Sequence, residues 1–334
     1  MIWAWLLGGA VLVVATGGLV LAWMVQPLPF RPPPHAITPV DQGRLRATVR
    51  TLCTTYHPRS HLHVGNLWRI AHHLQAQLAA AGCRVEEQRY GVDRRDYVNV
   101  RAHLGPPSGR RIVVGAHYDA CGDTPGADDN ASGVAALVEL AVLLGSGPLA
   151  CHVELVAWTL EEPPHFGTEM MGSRVHARLL EEEHAQVSAV FALDMLGRFS
   201  DEGDSQRYPF AWMPWVYGRR GDFIAVVGDP RMTALTRRTK RAMRSAGTVR
   251  VLSVNAWSFG EGLEDSDHAS YRRHGIPAVL LSDGAMYRHG DYHGAGDTAD
   301  KLDYPRLGGV VQALHVAVLQ EARRAAALGP ASTT

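Results

Sequence analysis

What most limits the fold of this chain is a series of short aliphatic runs, each followed by a stretch with helical spacing. Residues 111–116, 153–159, 188–194 and 278–282 are apolar almost throughout, the pattern of strands buried on both faces. Residues 84–90, 97–103 and 223–227 also suit strands. Apolar positions recur at helical spacing over 67–81, 131–144, about 171–180, 232–246 and 304–326. Strands alternating with helices predict an α/β domain built on a mostly parallel sheet. Such sheets place their chemistry at the carboxyl ends of the strands. The polar residues just past each aliphatic run are therefore the first to examine.

Composition removes some classes of function. With 33 Lys+Arg against 33 Asp+Glu, the chain lacks the basic excess of a nucleic-acid binder. Four cysteines are too few for a disulfide-built scaffold, and their pairing stays open. Seventeen histidines, a high number, prompt a search for metal ligands.

Residues 2–25 carry no charged side chain. As a helix they reach roughly 36 Å, enough to cross a hydrocarbon core of about 30 Å. Trp3, Trp5 and Trp23 lie near the two ends, where an interfacial belt sits. No Lys or Arg precedes the run and no small-x-small site follows it, so an uncleaved anchor is expected rather than a signal peptide. The expected organisation is a membrane anchor over 1–26 and a stiff proline-rich spacer over 27–40. A catalytic domain over 41–327 and a frayed tail over 328–334 complete it. The protein is then a single-pass membrane protein.

At the strand ends, residues 111–116 run into His117, Tyr118 and Asp119. A lone His there is more often structural, but Asp119 stands two residues on, where it can fix the tautomer of a metal-bound imidazole. Next comes Gly126-Ala127-Asp128-Asp129-Asn130-Ala131-Ser132-Gly133, leading into a helix. One acid would serve as an N-cap; two acids and an Asn in a tight loop suit a cation better. Residues 153–159 end at Glu161-Glu162. Adjacent side chains diverge, so one carboxylate can bind metal while the other faces a water. Asp194 ends another apolar run, and His293 follows Tyr292. Two histidines and several acids gathered at strand ends suit zinc, and two metals sharing a carboxylate suit hydrolysis.

These linked motifs, with Asp297-Thr298 after His293, resemble the co-catalytic zinc aminopeptidases of metallopeptidase family 28, the bacterial leucyl aminopeptidase-like enzymes. The resemblance extends from about residue 41 to 326. It implies a three-layer αβα zinc-exopeptidase fold with a mostly parallel mixed central sheet, two zinc ions and a peptide substrate. Asp129 would bridge the two zincs, His117 and Asp194 would complete one site, and Glu162 and His293 the other. Glu161 would be the general base, Asp119 would orient His117, and Tyr292 would either help hold the oxyanion or serve packing. The resemblance also implies a cis peptide between Asp129 and Asn130, a structural role for Ser266-Asp267-His268, and, from exported relatives, an extracytoplasmic catalytic domain.

The chain departs from the family pattern after Glu162, where residues 163–171 form a longer connection than usual. The related glutaminyl cyclases, aminoacyltransferases with one zinc, also lengthen this connection and supply an alternative reading. A receptor-like domain without catalysis is a third, although such relatives typically lose ligands. The aromatic group Tyr208, Phe210, Trp212, Trp215 and Tyr217 is read as core.

Overall fold

A computed structural model describes residues 16–28, 32–255 and 266–329. Its centre is an eight-stranded sheet in the order β1-β2-β4-β3-β5-β8-β6-β7. The strands are β1 (Arg84–Val92), β2 (Arg95–Leu104), β3 (Arg111–His117), β4 (His152–Trp158), β5 (Val187–Leu193), β6 (Phe223–Gly228), β7 (Arg250–Asn255) and β8 (Ala278–Ser282). From β4 through β3 and β5 to β8 all pairs are parallel. The β6–β7 pair is also parallel, while β1–β2, β2–β4 and β6–β8 are antiparallel. The mixed, mostly parallel α/β sheet expected from the aliphatic runs is present.

Helices cover both faces, and the alternation of side chains along each strand feeds two cores. Ile112, Val114 and Ala116 point into a core shared with α2 (Gln42–Arg50), α3 (Val64–Ala80), α4 (Gly133–Gly145), α7 (Thr233–Ala246) and α9 (Tyr304–Ala327). Val113, Val156, Val190 and Ala192 point the other way, toward α5 (Gly172–Glu182), α6 (Met213–Tyr217) and α8 (Asp267–Arg273). Gly115 is required at its place, because a Cβ there would lie 2.2 Å from the Trp158 ring of the neighbouring strand.

Four elements were absent from the reading of the sequence: the short helices α6 and α8, the helix α2 and the strand β7. In α2 only Leu45, Thr48 and Val49 are buried in an otherwise polar segment, though Asp41 caps it by accepting from the Arg44 N–H. The edge strand β7 carries only a short aliphatic pattern. The aromatic group divides: Tyr217 is buried and Tyr208 and Trp212 pack on the second core, but Trp215 is 87 % exposed.

The membrane anchor expected over 1–26 needs correction. Residues 1–15 lie outside the described residues. A helix, α1, covers 16–25, and among the described residues no helix is long and apolar enough to cross a membrane. A span needs about 20 apolar residues. The end of α1 is instead tied to the domain: Lys240 Nζ donates to the carbonyls of Val25 and Gln26, Ser253 Oγ to Val25, and Asn255 Nδ2 to Trp23. The expectation of a single-pass membrane protein with an extracytoplasmic catalytic domain, and of the membrane as a partner, does not stand. Beyond residue 31, the proline-rich segment also touches the domain, with the His35 N–H donating to the Ser245 carbonyl.

At the start of β4 lies a polar core. Buried Glu154 accepts from Arg101, Arg111 and His176, and the rings of His103 and His152 hydrogen-bond at 3.0 Å. Burial pushes both His103 and His152 down to about 4. The unfolded chain therefore takes up protons first as pH falls, so their contribution is full above about pH 6.5 and is lost between there and pH 4. The expected result is a denaturation midpoint that drops across that interval, with a smaller drop in a variant carrying Asn at both positions. Equal slopes in the two proteins would refute the assignment.

Candidate metal centre

Strands β3, β4 and β5 end side by side: His117 pairs with Trp158, and Gly115 with Ala192. The segments leaving them therefore share one edge of the sheet. His117 ends β3, Glu161 and Glu162 follow β4, and Asp194 follows β5. Asp129, from the loop before α4, and His293, from the loop before α9, complete the group.

Each proposed ligand is near the others. His117 Nε2 lies 3.4 Å from Asp129 Oδ1 and 3.5 Å from Asp194 Oδ1. His293 Nε2 lies 3.2 Å from Asp129 Oδ2 and 3.1 Å from Glu162 Oε2. The two oxygens of Asp129 thus face different imidazoles. Glu161 Oε2 stands 3.8 Å from His117 Nε2. One donor atom each from His117, Asp129 and Asp194 fall within 4.8 Å of one another, and so do those of Cys121, Glu162 and His293. Bonds of about 2.0–2.3 Å let a single cation reach every member of either group.

The donor set fits zinc on a second count. Both ring nitrogens of His117, Glu162 Oε1 and Asp194 Oδ1 are buried without a hydrogen-bond partner. Buried polar atoms are rarely left so, and imidazole with carboxylate is a zinc-type donor set. The electrostatics agree. Burial alone would lower the His117 pKa, yet the surrounding Glu161, Asp119, Asp129 and Asp194 hold it well above the usual range. His293 is likewise raised to about 10 by Asp129 and Glu162 against its burial. Burial and the nearby Asp129 push Glu162 up to about 7. Burial also drives Glu161 upward, helped by Asp194, Asp267 and Glu162 and opposed by His117. The crowded carboxylates call for positive charge.

The loops are held from behind. Asp119 has a role that sequence spacing did not disclose. Its Oδ1 sits 3.5 Å from His117 Nδ1, but its carboxylate also accepts the backbone N–H groups of Glu161 and Glu162, at 3.2 and 3.1 Å. Asp297 accepts the N–H groups of Asp128 and Asp129. Asn130 donates to the Leu193 carbonyl and accepts from Gly133 and Met195, and the Asp129–Asn130 peptide is cis, as the resemblance implied. Fully buried Arg59 donates to the carbonyls of Tyr118, Pro125 and Gly126. At Gly126, φ is +58° and a Cβ would lie 2.4 Å from the Asp129 carbonyl oxygen, so only glycine fits.

Three non-glycine residues with positive φ adjoin or belong to the group: Leu160 before the glutamates, Met195 after Asp194, and His293 itself. Each costs about 1–2 kcal/mol, and such outliers gather where function needs an unusual side-chain direction. Tyr292 stacks on His293, ring centroids 3.9 Å apart. Buried Asp267 adds to the charge around Glu161, while Ser266 Oγ donates to Asp194 Oδ2. The longer connection after Glu162 turns through a cis Pro163–Pro164 bond and brings the His165 ring to 5.3 Å from His61. All four cysteines are free. Arg59 and Cys121 were missed in the sequence because only the fold brings them here, and Asp297, part of the quoted motif, had been given no role of its own.

The family model of Peptidase family M28 matches residues 99–318. An uncharacterised protein of Escherichia coli, YfbL, is 43 % identical over 276 residues, covering 80 % of this chain and 84 % of that protein. A probable leucine aminopeptidase of Trichophyton verrucosum is 26 % identical over 240 residues, 68 % of this chain, which spans only 57 % of its length. Two solved structures share the fold. The zinc aminopeptidase BSAP of Bacillus subtilis superposes with TM-score 0.67 and 14 % identity, covering 89 % of this chain and 97 % of its own. The glutaminyl cyclase of Fimbriiglobus ruber superposes with TM-score 0.65 and 20 % identity, covering 88 % and 99 %.

Proposed function

The chain belongs to peptidase family M28 and is a hydrolase of the aminopeptidase class; we propose that it is a zinc-dependent exopeptidase that cuts the N-terminal peptide bond of peptides, with two metal ions and Glu161 as general base. The observation that carries this reading is the Asp129 carboxylate, set with one oxygen toward His117 and the other toward His293. A carboxylate so placed suits a bridge. In this reading His117, Asp194 and Asp129 hold one ion, and Glu162, His293 and Asp129 the other. When bound, such a pair acidifies a shared water and polarises the scissile carbonyl.

The rest falls to the chain's own residues. Asp119 anchors the backbone of Glu161 and Glu162 together, so that Glu162 keeps to the ligand side while Glu161 Oε2 stays near His117. Glu161 takes a proton from the attacking water at its carboxylate and returns it to the leaving amine. Tyr292, packed flat on His293, steadies that ring and in this proposal helps hold the oxyanion. Residues 41–327 are the catalytic unit in this proposal.

The competing reading is cyclisation of N-terminal glutamine, which the shared fold of a glutaminyl cyclase and the lengthened 163–171 connection favour. The two differ in product. The zinc-supplemented protein is expected to release free amino acids from aminoacyl amides and short peptides, with about two zinc ions per chain. Formation of pyroglutamyl peptides from glutaminyl peptides, with no amino acid released from either substrate, would reject the peptidase.

A further inference from the structure

The zinc-ligand set read from sequence contains only nitrogen and oxygen donors, yet a sulfur stands among them. Cys121 Sγ falls within 4.8 Å of donor atoms of both Glu162 and His293. The other three cysteines, Cys53, Cys83 and Cys151, are buried, and all have free thiols. Resting on the two-metal reading, we propose that Cys121 is a further donor to the ion held by Glu162 and His293, so that this site is a sulfur-containing one while the His117–Asp194 site is not.

Three observations support this. First, the backbone leaving β3 places His117, Asp119 and Cys121 at alternate positions, separated by buried Tyr118 and Ala120, so the donors alternate with residues that pack. Second, the turn carrying Cys121 is fixed. The Thr124 N–H and Oγ1 both donate to the Cys121 carbonyl, at 3.2 and 2.8 Å, and the Ala120 N–H donates to the Arg59 carbonyl. Third, Glu162 is 3 % exposed and its Oε1 lacks a hydrogen-bond partner, so this side of the cluster has unused donor capacity besides the sulfur.

Zinc–thiolate bonds of about 2.3 Å and zinc–oxygen or zinc–nitrogen bonds of about 2.0–2.2 Å are compatible with that spacing. On binding, the thiol gives its proton to solvent and the sulfur lone pair forms the metal bond; nothing is oxidised or reduced. A thiolate is a soft ligand. The Cys121 site therefore prefers cadmium more strongly than the His117 site does.

The test is cobalt titration of the metal-free full-length protein, followed by absorption. Visible ligand-field bands report cobalt binding, and a near-ultraviolet thiolate-to-cobalt band reports a cobalt–sulfur bond. The near-ultraviolet band is expected with one of two cobalt equivalents. It is lost in Cys121→Ser and kept in Cys53→Ser, Cys83→Ser and Cys151→Ser. Visible bands without the charge-transfer band, or a band that survives Cys121→Ser, would overturn the thiolate ligand and leave the metal centre standing. Failure of any visible band to appear would overturn both. Should Cys121→Ser not fold, alkylation of the wild-type protein decides. Zinc loading is expected to abolish iodoacetamide labelling of Cys121, and labelling at the same rate with and without zinc would refute the assignment.

Discussion

Glu161→Gln is expected to bind the same quantity of zinc as the wild type and to lose turnover by roughly 10²–10⁴-fold, the usual loss for a general base. Gln is nearly the same size and keeps an oxygen, but cannot accept the proton. Its backbone N–H still donates to Asp119, so the turn that positions both glutamates is retained. The neighbouring variant separates the roles. Glu162 Oε2 stands 3.1 Å from His293 Nε2, on the side where the second ion is proposed. Glu162→Gln should therefore lose zinc first and activity as a consequence. Metal analysis combined with steady-state kinetics on both variants checks the pair. If Glu161→Gln lost zinc and Glu162→Gln retained it, the two roles would have to be exchanged.

The parts of this centre visible in the sequence are those that end a strand. His117, Glu161, Glu162 and Asp194 each follow an aliphatic run, and in a parallel sheet such runs end on one edge. Local pattern alone was enough to gather them. The supports were not visible, because they work across long separations. Arg59 reaches carbonyls more than fifty residues away, and Asp297 accepts N–H groups from a loop far earlier in the chain. The motif after His293 contains Asp297 but does not show what it holds; an arginine in a polar stretch reads as surface, yet Arg59 is fully buried. Strand β7 was passed over for a related reason. At the sheet edge only Val251, Leu252 and Val254 carry its pattern, and its register is supplied by β6. The opposite error occurred at the N-terminus. Hydropathy alone favoured a spanning helix there, but α1 ends where Lys240, Ser253 and Asn255 take up its backbone carbonyls.

Asp129→Asn carries the largest expected loss of metal, because in the proposed centre one side chain serves both sites. Its two oxygens face His117 at 3.4 Å and His293 at 3.2 Å, so one carboxylate stands within reach of both imidazoles. Asn offers one oxygen and one NH₂, so it can satisfy one side but presents hydrogens to the other. It also removes a negative charge from a position where two cations are proposed to lie close together. Substitutions outside the ligand shell typically cost 10–100-fold in metal affinity, and loss of the shared carboxylate should exceed about 100-fold at one site at least. Turnover should then fall to near background at micromolar zinc and not recover at millimolar zinc, whereas Glu162→Gln should recover in part. Equilibrium dialysis against zinc, with activity read on the same samples, distinguishes the two. A variant that retained two tightly held zinc ions per chain would show that Asp129 is not the bridge and would move that role to another carboxylate of the cluster.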